Sequence, residues 1–155
     1  MLYNALQTLH LLAIVVWVGG MFFSHFFLRP AVAGLEPPIR LTLMRDVLSR
    51  FFRVVLVASL LTLASGVWML GRVAKSAVQS GAGFQMPLDW TIMTALGVAM
   101  VAIFMHIRFA LYKRLDRYVT ASDWAAAAMA LDQVRKWVFV NLSVGVIILV
   151  VVLLT

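Results

Sequence analysis

The chain has 155 residues, of which 64% are hydrophobic and only 12% charged, with no cysteine and a formal net charge of +7. Soluble domains carry about 25% charged residues, so this composition excludes a soluble globular protein, and the lack of cysteine excludes disulfides and thiolate sites. The basic residues flank apolar segments, which indicates a lipid bilayer rather than nucleic acid as their partner.

Four windows without Lys, Arg, Asp or Glu, at 1–28, 54–71, 90–107 and 137–155, have about the 18 or more residues needed to cross a bilayer. Because hydrocarbon cannot satisfy backbone amides, each window must form a helix. The sequence therefore predicts an all-α integral membrane protein, with four transmembrane helices in an up-down bundle. Residues 1–155 form a single domain in this prediction, and the spans cover about 5–28, 51–73, 89–112 and 137–154.

The segments between the spans differ in character along the chain. Arg29-Pro30 ends the first span, and 39–53 has arginines at helical spacing, as in an interfacial amphipathic helix before the second span. The stretch 74–88 is rich in glycine and predicts a loop. Residues 122–136 predict a second amphipathic helix before the fourth span.

The distribution of Lys and Arg predicts the orientation. The first connection holds five, the second two and the third six, so eleven of thirteen lie on one side. The positive-inside rule makes that side cytoplasmic. In a bacterial inner membrane, both termini would then be periplasmic.

Inside the spans, one histidine and two methionines are expected at a common depth. His10, Met69 and Met93 each lie about seven residues outward from the estimated centre of their span, at about 1.5 Å per residue. Thioethers favour copper(I), imidazole suits copper and haem iron alike, and His with Met is also a haem axial pair. Alternatively, the methionines fill the core and His10 only needs a hydrogen-bond partner, such as Gln7 or a neighbouring helix.

A second polar group is expected near the inner boundary. His25 and His106 could meet at one depth there and hold haem b as a bis-histidine pair, with arginines meeting its propionates. An anionic head group could bind instead, or the arginines could simply reach the interface without any ligand. The other residues at this boundary are Arg29, Arg53, Arg108, Arg135 and Asn141.

Segments of the first span carry a family resemblance. Residues 9–12 read LHLL, 16–23 read VWVGGMFF and 28–30 read LRP. Together they resemble the first helix of the copper-resistance protein D (CopD) family and of the related HemJ-type four-helix membrane protoporphyrinogen oxidases. Arg135 followed by Asn141 is also similar to an Arg and Asn of those oxidases. Where the oxidases have a His and a nearby Lys, this chain has Met93 and no lysine.

The resemblance implies either copper handling or haem-linked porphyrin oxidation, with His10 as a ligand and with Arg135 and Asn141 lining the bundle. Copper binding or passage through His10, Met69 and Met93 is our first hypothesis. A b-type haem protein using His10 with Met93, or His25 with His106, is the alternative, and any enzyme here would be a haem-dependent membrane oxidoreductase. A structural or assembly subunit without metal is the third.

Partners follow from these hypotheses. The first two imply a periplasmic copper or electron-transfer partner. Glycines such as Gly19 and Gly20 would permit close helix contacts within the bundle or in a homodimer.

Overall fold

The computed structural model describes residues 1–81 and 85–154, and this part of the chain is helical without strands. We number its four long helices α1 (Leu2–Ala31), α2 (Pro37–Gln79), α3 (Leu88–Thr120) and α4 (Trp124–Leu154). Each is long and apolar enough to cross a membrane. The predicted all-α fold with four spanning helices is confirmed.

The predicted interfacial helices are continuous with the spans that follow them. Residues 39–53 are the first part of α2, and residues 124–136 are the first part of α4. The sequence has no Gly or Pro at 39–65 or 124–144, so nothing interrupts the backbone hydrogen bonds. The helix α2 runs on past Gly66 and Gly71 to Gln79, so the loop predicted over 74–88 is shorter and begins at Ser80.

Two helices contain a single π-helical turn. In α1 it covers Ser24–Leu28, directly before Pro30, which has no N–H to donate. In α3 it covers Ile107–Leu111, where no proline or glycine signals it. Such turns shift the facing of the residues that follow them, and they often occur near functional sites.

We call the end of the bundle with both chain termini the terminal side, and the end with the 32–36 and 121–123 connections the basic side. α1 packs mainly against α2, and α3 packs mainly against α4. An aromatic cluster ties these pairs together, with ring centroids 5.8 Å apart for Trp17 and Phe104 and 6.0 Å apart for Phe52 and Phe104.

The packed core is confined to the centre and the basic side. In the described ranges, the last buried residues toward the terminal side are Ala13, Ser65, Met100 and Gly145, one on each helix. Beyond them the side chains are half-buried or exposed. The terminal side of the bundle is therefore loosely packed, and His10 lies about one turn beyond the edge of the core.

Candidate metal site at His10

The His10 imidazole is held by the second helix. Its Nδ1 lies 2.9 Å from Oγ of Ser65, a fully buried serine on α2. The Ser65 hydroxyl donates its proton to the Leu61 carbonyl at 2.5 Å. With that proton donated, the Ser65 oxygen can accept from Nδ1–H of His10, and in this tautomer Nε2 carries the lone pair.

A glycine makes room for the ring. A Cβ built at Gly66 would lie 3.4 Å from Cε1 and 3.9 Å from Nδ1 of His10, so the imidazole rests on the α2 backbone at this position. The sequence predicted either Gln7 or a neighbouring helix as the hydrogen-bond partner of His10, and the structure shows the second alternative, with Ser65 as the residue. The adjacent Ser65 and Gly66 inside an apolar helix were the sequence signal that could have indicated this contact.

Met69 lies on the same face of α2 as Ser65, one helical turn further toward the terminal side. At about 1.5 Å per residue, that places its Cα about 6 Å beyond the level of Ser65. Its side chain is half-buried. No residue of α2 beyond Ser65 is buried in the described part of the chain.

Met93 shares the level of His10 along the bundle. A Cβ at Gly145 would lie 3.1 Å from Val18 and 3.2 Å from Met100, which puts those two residues at one depth. His10 is about 12 Å from Val18 toward the terminal side, and Met93 is about 10 Å from Met100 in the same direction. Met93 is also half-buried. By this estimate Met93 lies near the depth of His10, whereas Met69 lies about one helical turn further toward the terminal side. A shared ligand level for all three residues stays a prediction.

The structure does not bring His25 and His106 together. The His25 ring packs on Phe139 at 4.9 Å, and the exposed His106 ring packs on Trp137 at 5.3 Å. Residues 137 and 139 point about 200° apart around α4, so the two imidazoles lie on different sides of that helix. A bis-histidine haem would require both rings to face one space, and this geometry does not offer it.

Asn141 and Arg135 occupy separate environments on α4. Asn141 is fully buried, and neither its Oδ1 nor its Nδ2 has a hydrogen-bond partner in the described structure. Arg135 borders a cavity near the basic side. Asn141 lies at the level of the core, and Arg135 lies nearer the basic side. Both predicted site residues are therefore far from His10.

The donor set for a metal is narrow. In residues 1–81 and 85–154, no group of three His, Cys, Asp or Glu side chains could hold a metal ion. A metal at His10 would therefore have to take further ligands from thioethers or from the backbone. Imidazole and thioether ligands suit soft ions such as copper(I) better than hard cations, which need several oxygen ligands.

A comparison with known families identifies the family of this chain. The family model described as copper resistance protein D matches residues 45–155, which is more than half of the chain. The chain belongs to the CopD family. No curated protein and no solved structure matches it.

The CopD match begins inside α2, at Arg45, and includes Ser65, Met69 and Met93. It leaves out α1, so the assignment of His10 rests on its geometry. The match confirms the family that the first helix resembles. The relation to the HemJ-type oxidases stays a prediction.

Proposed function

We propose that this CopD-family membrane protein binds copper(I) as its cargo in the terminal half of the bundle and passes it on. His10, Met69 and Met93 are the proposed ligands. In this proposal the protein lies in a bacterial inner membrane with the site near the periplasmic face, where a periplasmic copper carrier would exchange the ion. Family membership supports copper as the metal.

The observation that carries the proposal is the orientation of the His10 ring. An imidazole inside a spanning helix needs a reason to be there. Hydrogen bonding of Nδ1 to a buried hydroxyl orients the ring, as outer partners do in known metal sites. The nitrogen left free, Nε2, is the one that can bind an ion.

The loose packing of the terminal side supports access to this nitrogen. Side chains beyond Ala13, Ser65, Met100 and Gly145 are not fixed in a core, so the two methionines can adjust around an ion. A bound soft ion would need no charged ligand. This suits helices whose apolar windows carry no carboxylate.

A Cu(I) titration of the purified protein against a competing chelator tests the proposal. We expect His10→Ala to weaken Cu(I) binding by at least about tenfold. Loss of an outer partner already lowers metal affinity about 10- to 100-fold, and loss of a ligand should lower it at least as much. Met93→Leu and Met69→Leu should each weaken it by less. His106→Ala is the matched control, since that ring is exposed and packs on Trp137.

Equal Cu(I) affinity in wild type and His10→Ala would contradict the proposal. An absorption spectrum of the same samples tests the haem alternative. A Soret band that is present in wild type and lost in His10→Ala would assign the ring to haem b instead, and with it an oxidoreductase or electron-transfer role.

A further inference from the structure

The basic side of the bundle contains a cavity of about 250 Å³ that is lined by three arginines, Arg29, Arg40 and Arg135. Apolar side chains, among them Leu41 and Leu131, form the rest of its wall. In the described structure none of the three arginines forms an ion pair, and no acidic side chain lines the cavity. The cavity therefore holds concentrated, uncompensated positive charge beside an apolar wall.

Among the three arginines that line the cavity, Arg135 has a buried nitrogen that the described part of the protein does not satisfy. The Nε of Arg135 is buried and has no hydrogen-bond partner. Arginines that merely extend to the interface keep their nitrogens in water, so that behaviour does not account for a buried Nε. A buried donor without an acceptor is costly, and an oxygen ligand in the cavity would remove that cost.

The shape of the cavity indicates the rest of the ligand. A narrower cleft of about 20 Å³ shares Arg29, Met44 and Arg135 with it and continues toward the membrane interior beside Leu48 and Val138. The main cavity is smaller than the about 300–1,000 Å³ typical for drug-sized ligands, so it fits a head group and not a tetrapyrrole. The cleft is too small for an acyl chain, so the chains of a bound lipid would lie in the surrounding bilayer.

We infer that this cavity binds the anionic phosphate of a membrane phospholipid, with the phosphate between Arg29, Arg40 and Arg135 and the acyl chains in the surrounding bilayer. Guanidinium groups bind phosphate oxygens in pairs, which favours arginine over lysine here. Arg40 is held at the rim by donating from Nη1 to the Ala33 carbonyl at 3.2 Å. Basic pockets between spanning helices are a known form of lipid site. The inference does not depend on the copper proposal.

Native mass spectrometry of the purified full-length protein, titrated with phosphatidylglycerol or phosphatidylcholine, tests this inference. We expect phosphatidylglycerol to bind more tightly than phosphatidylcholine, and Arg135→Gln to weaken its binding about tenfold or more, since charged hydrogen bonds are lost. Arg135→Lys should recover part of the affinity. Arg114→Gln is the matched control, because Arg114 is exposed on the same side and lines neither cavity.

A competition experiment distinguishes a lipid from a soluble ligand. Inorganic phosphate at millimolar concentration should not displace phosphatidylglycerol from wild type. If inorganic phosphate displaces the lipid, the cavity is a phosphate site, but its ligand is a soluble phosphate and not a phospholipid. Equal binding of phosphatidylglycerol to wild type, Arg135→Gln and Arg29→Gln, or an equal loss in Arg114→Gln, would overturn the inference. Arg29→Gln serves as the test variant if Arg135→Gln does not fold.

Discussion

At the scale of single residues, the candidate site depends on a contact between positions 10 and 65 that no local pattern encodes. Apolar periodicity places His10 in a span and gives its depth. It does not say which helix the ring faces, because that depends on how α1 and α2 are rotated against each other. The unknown rotation of the helices also explains why the sequence paired His25 with His106, which were expected at one depth but contact different faces of α4.

Ser65 is a positioning residue in this account, and Ser65→Ala tests that role. Removing its hydroxyl leaves Nδ1 of His10 without its partner, so the ring can turn and exchange tautomers. We expect Cu(I) affinity to fall about 10- to 100-fold, the usual cost of losing an outer partner.

Ser59→Ala is the matched control for that variant. Ser59 is also fully buried on α2, but its hydroxyl only donates to the Leu56 carbonyl at 2.9 Å. Both variants should have similar thermal stability. If the two serine variants bind Cu(I) equally well, Ser65 does not position the ligand.

At the scale of helices, length and apolar content were enough to predict four spans, but their bounds depended on where the backbone could stop. The absence of Gly and Pro joins the amphipathic segments to α2 and α4. The π-helical turn at Ile107–Leu111 has no such signal. The sequence therefore did not predict it.

Two adjacent glycines test the packing of α1 against α2. A methyl group at Gly20 would overlap the ring of Phe51, whereas one at Gly19 meets nothing within 4 Å. We expect Gly20→Ala to destabilise the protein by about 1–3 kcal/mol through overpacking. Gly19→Ala should be neutral or slightly stabilising, because alanine is the better helix former. Thermal unfolding in detergent measures both.

A comparable midpoint for the two glycine variants would show that α1 and α2 are not packed as described at this level. Gly20→Ala combined with Phe51→Leu provides a further control. The smaller side chain should recover part of the lost stability if the Phe51 ring is the cause.

At the scale of the whole molecule, the two proposed sites lie at opposite ends of the bundle, with the packed aromatic core between them. The concentration of Lys and Arg predicts that the basic side is cytoplasmic. The lipid site would then lie in the cytoplasmic leaflet and the copper site near the periplasm. The orientation follows from charge alone and stays a prediction.

Single cysteines test that orientation cleanly, because the chain has none of its own. Ser80→Cys and Ala121→Cys place thiols at exposed positions on the terminal side and the basic side respectively. In intact spheroplasts, a membrane-impermeant maleimide should label position 80 and leave position 121 unlabelled until the membrane is permeabilised. The reverse pattern would invert the topology and move the proposed copper site to the cytoplasmic face.

The central claim is that His10 and membrane thioethers bind one copper(I) ion. X-ray absorption spectroscopy of the Cu(I)-loaded protein, compared with His10→Ala, tests it most directly. We predict one nitrogen together with one or two sulfur neighbours in wild type, loss of the nitrogen in His10→Ala, and loss of a sulfur in Met93→Leu. A copper coordination shell without sulfur, or the same coordination shell in wild type and His10→Ala, would contradict the account.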